Sequence, residues 1–562
     1  MTLVDSRDLT ADHVLQADVC IVGSGPVGCA IALDLAKAGL NVVVLEAGDV
    51  SHSPKAQSEY WSEDARDPEQ HPPLHLWRRR MLGGASTIWG GRCLPLSRGD
   101  FDDWGPSWPI DYDEIASYLP RAASFLELGT SDFDARTALT PEDQEFLGGF
   151  RHTDLCTDTM ERYSPPTNVA DRYWSGAASA ENVTVLLNAQ CVEIRLDQSG
   201  HRADRAVFAP SAEKRCSVRA SSFVLAAGGL ETARLLLASN KERENGLGNE
   251  HDLVGRYYMT HMVGSLGLLL TNAGSSHREL SFVRTKDGVY ARRNFQLSDA
   301  ARLRDGLGAF VLRPSIGRID DHRHGNGVLS ALFLARPFLK NELYTNMGRR
   351  SAGDQDRSAI AMYSGHIKNI LLDSPSILSF AHKWFVDRPR QYRKLPGYDF
   401  RRRDDTYPLE FNSEQSPNYS SRIYLGTDRD PLGVPLMSVD WKTSDEDRRT
   451  VRQSFGIMQK AFATSHVAKI SYAQEELEAA VEDMWPAGGH HIGTARLSSS
   501  PRQGVVGPDM QVWSVKGLYV AGAATFPRSG SANPTLFAVA TALRLADHLL
   551  AQNCVRASAP AV

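Results

Sequence analysis

Gly23, Gly25 and Gly28 stand in the run Gly23-Ser24-Gly25-Pro26-Val27-Gly28, and Glu46 follows about 20 residues on. Residues of these types at this spacing can hold a dinucleotide. Gly23 permits a sharp turn, Gly25 lets a pyrophosphate approach the backbone, and Gly28 lets a helix pack closely on the preceding strand. The carboxylate of Glu46 can accept both hydroxyls of an adenosine ribose. The elements that must position them are legible: an apolar strand Asp18–Val22, a small-residue helix Ala30–Ala38, and a strand Asn41–Leu45 that delivers Glu46. The helix N-terminus adds amide donors and a positive dipole end. The glycine motif alone is a weak signal. Set between a strand and a helix, and followed by a strand ending in Glu, it becomes specific.

Three later stretches share this character. Two glycine pairs, Gly83-Gly84 and Gly90-Gly91, flank Ser86-Thr87-Ile88-Trp89, so that amides and hydroxyls could lie flat against a planar polar ligand; the same residues also suit an ordinary turn-rich loop. The strand Cys216–Ala227 ends in Ala226-Ala227-Gly228-Gly229 ahead of a helix Glu231–Ala238, which reads equally as a second nucleotide-side strand end or as plain strand–helix packing. Gly517–Gly522 is a strand with glycine at its carboxyl end, followed by Ser529-Gly530-Ser531-Ala532-Asn533-Pro534-Thr535 and a long apolar helix to Leu550. Pro534 suits the first turn, with Asn533 or Ser531 as the cap.

The chain as a whole limits what these motifs can serve. Its 562 residues are too many for one core. A formal charge of −5 offers no basic field for a nucleic-acid backbone, so no nucleic-acid partner is expected. Acidic Asp5, Asp8 and Asp12 and the lack of an apolar run argue against a targeting peptide in Met1–Ala17, which leads to an expected cytoplasmic location. No apolar run reaches the ~18 residues of a membrane span. Cys20, Cys29, Cys93, Cys156, Cys191, Cys216 and Cys554 lack metal-ligand spacing and read as buried free thiols, with no metal expected.

Along the chain, Trp104–Ala123 reads as peripheral helix, and Val183–Leu187, Cys191–Leu196 and Arg205–Ala209 read as strands. Between 271 and 480 the period keeps changing, as in an α+β unit with its own sheet: strands near Val263–Leu270 and Val289–Phe295, a run at Gly327–Ala335, and helices near 366–385 and 446–463. The basic and aromatic run from His382 to Arg403 is interrupted by Asp387 and Asp399, which favours a solvated face or lid over a membrane or partner surface.

Taken in order, GSGPVG with Glu46, GGASTIWGG, AAGGLETARLL, EQSPNYSSRIYLG (Glu414–Gly426), GGHHIGTARL (Gly488–Leu497) and SGSANPTLF (Ser529–Phe537) resemble the glucose–methanol–choline (GMC) family of FAD-dependent oxidoreductases over nearly the whole chain. The pairing of a histidine in HHIGT with asparagine in SANPT looks most like the pyranose oxidase branch and its bacterial sugar, glycoside and aminoglycoside relatives. The resemblance implies an α/β FAD-binding Rossmann-like domain with an inserted α+β substrate-binding domain. The expected segments are 1–105, 181–270 and 485–562 for FAD, a peripheral lid segment 106–180, and a substrate domain 271–484. FAD contacts are implied at Gly23, Gly25, Gly28, Glu46, Gly83, Gly84, Ser86, Thr87, Val192, Ala227, Gly522, Asn533, Pro534 and Thr535. Relatives with covalent flavin carry histidine where this chain has Ile88, so FAD is expected to be held without a covalent bond.

The implied chemistry is oxidation of a CH–OH group of a sugar, glycoside, aminoglycoside or cyclitol. His490, in His490-His491-Ile492-Gly493-Thr494, is the expected base, and Asn533 the donor that positions the substrate oxygen. His491 either positions His490 or the flavin, or simply packs. Oxygen, a quinone or a redox protein would take the electrons. A steroid-like or terpenoid alcohol is the alternative substrate, and a redox-silent or electron-transfer FAD subunit the alternative of another class. The GGASTIWGG loop and the second nucleotide-side strand end argue against an NAD enzyme.

Overall fold

The computed structural model describes residues 1–58, 64–65, 71–101, 107–175, 181–272, 280–315, 319–336, 359–397 and 405–558. Trp104 and Arg401–Arg403, named above, lie outside them.

The first sheet has eight strands. Thr2–Asp5, Val183–Leu187, Val42–Leu45, Val14–Val22 and Cys216–Leu225 run parallel, with Leu518–Val520 parallel against the end of Cys216–Leu225. Ala203–Ala209 and Gln190–Leu196 continue it as an antiparallel edge. Ile21, Val44, Val224 and Leu518 are fully buried, as expected where helices cover a parallel sheet on both faces. Helix Pro26–Lys37 carries Gly28, Ala30 and Ala32, small enough for the C-terminal helix Thr535–Ser558 to pack beside it.

A second sheet of seven strands is antiparallel throughout, in the order Ala468–Ser471, His261–Thr271, Thr406–Glu414, Phe310–Pro314, Phe295–Leu297, Leu155–Cys156, with Trp485–Pro486 against the start of His261–Thr271. Its two faces differ in chemistry. Phe295, Phe310 and Phe411 pack against Phe455 and Phe462 of helix Asp445–Ala463, with ring centroids 5.1–5.6 Å apart. The alternate positions, in register across the strands, are His261, Glu414, Val263, Asn412, Val311, Gln296, Arg313 and Glu410, a largely polar face. A four-stranded sheet (Val283–Arg284, Tyr290–Arg293, Met160–Tyr163, Arg92–Cys93) lies alongside and brings Glu161 to Arg313.

The strand expected near Val263–Leu270 forms as His261–Thr271 and pairs with Thr406–Glu414 and Ala468–Ser471 in the second sheet, which Leu155–Cys156 joins from segment 106–180. Alternating apolar residues specify a strand but not its partner. Gly327–Ala335 is a helix, anchored to Ala359–Leu372. Cys20, Cys29, Cys93, Cys156, Cys191 and Cys216 are free, and four of these six are buried.

Candidate active site

The opening turn is built as its glycines require. Gly23 adopts φ +107°, and a Cβ there would lie 2.5 Å from the Ala226 carbonyl oxygen; one on Gly28 would lie 2.0 Å from that of Gly23. Gly25 faces open space. Ser24 ties three elements together. Its hydroxyl donates to Glu46 Oε2 at 2.5 Å, accepts from the Gly83 N–H at 3.0 Å, and its carbonyl accepts from Trp174 Nε1 at 2.8 Å. The loop Gly83–Trp89 is thereby laid on the turn, with Gly84 against Gly25. The Ser86 and Thr87 hydroxyls donate to the carbonyls of Gly83 and Gly84 and close the 3₁₀ turn. Glu46 is buried and also accepts from the Gly48 N–H at 2.8 Å. Burial raises its carboxyl above the ordinary value, while those donors and Arg80 oppose the shift. The Ala189 N–H bonds the Glu46 carbonyl, and three residues on Val192 is the extra residue of a bulge in Gln190–Leu196, between the pairs Cys191–Phe208 and Glu193–Val207. Ala227, at the end of Cys216–Leu225, and Gly522, at φ +93° against Val27, close the same corner.

At the other end, Pro534 precedes the C-terminal helix, which starts at Thr535. The cap expected of Asn533 is absent because its side chain is engaged elsewhere. The Arg92 Nε–H donates to Asn533 Oδ1 at 3.1 Å, which turns the amide NH₂ toward His490 Nε2, 3.2 Å away. His490 Nδ1 lies 2.7 Å from His261 Nδ1, and His261 Nε2 lies 3.1 Å from the Ser529 carbonyl.

These contacts dictate the proton positions. A carbonyl can only accept, so His261 carries its proton on Nε2 and offers Nδ1 as an acceptor. His490 therefore carries its proton on Nδ1 and presents a lone pair at Nε2, beside Asn533. Burial holds His261 neutral, down at about 4, and burial followed by His261, Arg92, His491 and Arg313 holds His490 well below the usual imidazole value.

A parallel relay fixes His491. His71 Nδ1 donates to the Pro72 carbonyl at 2.8 Å, its Nε2 accepts from Tyr258 Oη at 3.0 Å, and Tyr258 Oη accepts from His491 Nδ1 at 2.9 Å. His491 Nε2 is left as a buried acceptor with no partner among the described residues. So His490 and His491 each keep an unprotonated Nε2, that of His490 facing the Asn533 amide, and each is held by a buried group that sequence reasoning missed. His261, Tyr258 and His71 lie outside the motifs, with a histidine inside the apolar strand His261–Thr271 as the only local signal, while Arg92 directly follows GGASTIWGG but nothing there points to Asn533.

Around this pair the surroundings are cationic. Arg92 and Arg313 approach Glu161 at 3.9 and 3.4 Å, and although burial opposes it, Arg313 and Arg92 keep Glu161 below its usual value. On the polar sheet face three buried donors lack partners among the described residues: Arg313 Nε, Asn412 Nδ2 and Asn294 Nδ2, in residues only 1–3% exposed. A cavity of about 700 Å³ reaches Ser531 and Ala532, just before Asn533, although neither Asn533 nor His490 lines it.

Residues 417–542 match the model of the family described as GMC oxidoreductase, and residues 18–294 match that described as FAD dependent oxidoreductase. The chain carries a GMC oxidoreductase domain and an FAD dependent oxidoreductase domain. It is 23% identical to a 2-methyl-1,2-propanediol dehydrogenase of Mycolicibacterium austroafricanum, over 95% of each chain. It is 22% identical to a paromamine 6'-oxidase of Streptomyces fradiae, over 96% of this chain and 92% of that one. A C-glycoside 3-oxidase of Microbacterium trichothecenolyticum is 30% identical across 23% of this chain and 24% of its own. Among solved structures, pyridoxine 4-oxidase from Mesorbium loti superposes with a TM-score of 0.54 at 14% identity, covering 94% of this chain and 98% of that one. A formate oxidase does so at 0.51 and 15%, covering 97% and 100%.

GMC oxidoreductases of this kind use FAD, and the residues fit it. Open space at Gly25 leaves room for a pyrophosphate beside the first turn of Pro26–Lys37, the buried Glu46 carboxylate keeps lone pairs for a ribose, and the Thr535 helix end offers donors for a flavin.

Proposed function

We propose that this GMC enzyme oxidises a CH–OH group of a sugar, glycoside, aminoglycoside or cyclitol. The observation that carries this reading is the polar sheet face beside His490, where Arg313 Nε, Asn412 Nδ2 and Asn294 Nδ2 are buried without partners among the described residues. Each unpaired buried donor costs about 1–3 kcal/mol, and a substrate with several hydroxyl oxygens recovers that cost. A steroid-like or terpenoid alcohol would leave all three unpaired, so the same face weighs against that alternative. The names of the glycoside and aminoglycoside oxidases among the relatives support the polyhydroxylated class.

In this reading His490 Nε2 takes the hydroxyl proton, the Asn533 amide N–H holds the same oxygen, and Arg92 fixes the amide. A strongly depressed imidazole is a weak base, and the cationic surroundings compensate by stabilising the developing alkoxide. Bound FAD supplies the two-electron acceptor for the carbon-bound hydrogen. Oxygen, a quinone or a redox protein would reoxidise it, and Ile88 leaves the flavin without a covalent link. We assign FAD binding to segments 1–105, 181–270 and 485–562, with the substrate sheet drawing on 271–484 and on strand His261–Thr271, and we place the enzyme in the cytoplasm. No helix among the described residues is long and apolar enough to cross a membrane.

An anaerobic screen tests the substrate class. Sugars, glycosides, aminoglycosides and cyclitols should bleach the flavin absorbance, whereas steroid and terpenoid alcohols should leave it unchanged. Bleaching by the steroid or terpenoid set alone would overturn the reading, and no bleaching by any alcohol would leave the redox-silent subunit standing.

A further inference from the structure

Of the fifteen large apolar side chains exposed among the described residues, eight lie between Ile360 and Tyr392. They are not scattered. On helix Ala359–Leu372, Ile360 (81% exposed), Tyr363, Ile367 and Leu371 (72%) recur at helical spacing along one side. Leu378 on helix Ser374–His382 and Phe385 just after it continue the apolar surface, at 73% and 75%. The opposite side is firmly anchored: His366 stacks on Phe333 at 4.2 Å and bonds Ser330 at 3.0 Å, and Asn369 bonds the His322 carbonyl at 2.7 Å. The apolar strip is thus the outer side of a packed helical hairpin, not an element awaiting its core.

The same segment is basic in an acidic chain. Between residues 359 and 397, Lys368, Lys383, Arg388, Arg390, Arg393 and Lys394 outnumber Asp373 and Asp387, a formal charge of +4 against −5 for the whole chain. Among the described residues Lys368, Lys383, Arg390 and Lys394 form no ion pair. Trp384, Phe385 and Tyr392 stand among these cations, with Arg388 over the Trp384 ring at 3.8 Å.

We propose that this hairpin docks the enzyme peripherally on an anionic lipid bilayer, the apolar strip entering the headgroup boundary and the flanking cations meeting lipid phosphates. An amphipathic surface with Lys and Arg beside exposed Leu, Ile and aromatic residues has the chemistry of an interfacial anchor, and neither helix approaches a span. A second copy of the chain is the poorer occupant, because a symmetric contact would bring two such cationic faces together. The solvated face expected from the interrupting aspartates accounts for the charge but not for the bare Ile, Leu and Phe side chains.

Vesicle flotation of the FAD-loaded full chain tests this. With vesicles of phosphatidylcholine containing about one-quarter phosphatidylglycerol the protein should float, with phosphatidylcholine alone it should stay in solution, and raising the salt should lower the bound fraction ~10-fold. Leu371→Asp with Leu378→Asp should abolish flotation while leaving flavin absorbance and thermal midpoint unchanged; should that variant misfold, Lys383→Glu with Arg390→Glu replaces it. Failure of the wild type to float with anionic vesicles, or equal flotation of a folded variant, would overturn the proposal. So would a concentration-dependent dimer, lost in the variant, without vesicle binding, which would make the face a contact between copies.

Discussion

In the proposed reaction the Nε2 lone pair of His490 depends on His261. His261 accepts the Nδ1 proton of His490 and so leaves Nε2 free, which makes it a positioning residue. Replacing it with leucine removes the acceptor and should slow flavin reduction ~10–100-fold, with KM little changed. His261→Gln, whose amide oxygen can accept, should recover much of that loss; equal rates in both variants would show the contact to be incidental. At the other end of the site, Glu46→Ala should purify pale and regain activity with added FAD, because a charge-assisted bond worth about 1.5–3 kcal/mol is lost far from the chemistry. A fully flavinated Glu46→Ala protein with slow turnover would contradict that role. His490, Asn533 and Glu46 were proposed from the sequence because each sits in or beside a short stretch whose glycines and proline announce a turn. His261 and Arg92 were not, since they lie 229 and 441 residues from their partners. Nothing in a linear pattern distinguishes a histidine that packs in a strand from one that steers another imidazole.

The elements show the same division. The first βαβ unit was read correctly to within a few residues, from Val14–Val22 through Pro26–Lys37 to Val42–Leu45, because apolar runs and glycines set its limits locally. Strand His261–Thr271 was recognised as a strand, but its partners Thr406–Glu414 and Ala468–Ser471 were not, since pairing is decided by distant chain. The polar face of the second sheet was equally hidden, as it exists only once Asn412, Arg313 and Gln296 come into register. The loop Gly83–Trp89 carries its own prediction. With Ile88 in place of a nucleophilic side chain, acid precipitation should release the flavin into the supernatant, and colour kept in the pellet with a flavin adduct on a peptide would contradict it.

For the whole molecule, buried neutral histidines tie stability to pH. His71 and His261 are held at about 4, against an unfolded value of about 6.5. Between those values the unfolded chain binds protons that the native chain refuses, so stability is complete above about pH 6.5 and falls as pH drops toward 4. Each fully buried group contributes on the order of 3 kcal/mol across that window. Denaturation midpoints of the FAD-loaded enzyme should decline through it, with a shallower decline in His261→Gln; a flat profile from pH 7 to about 4.5 would show that these histidines protonate in place. The central claim is that a buried, neutral His490 takes the substrate proton, and single-turnover anaerobic reduction by a polyol that bleaches the wild type tests it most directly. His490→Ala should remain yellow and reduce ~10²–10⁴-fold more slowly, losing an acidic limb that in the wild type lies well below pH 6.5, whereas His491→Ala should do less. Normal reduction by His490→Ala, with its acidic limb intact, would contradict the account.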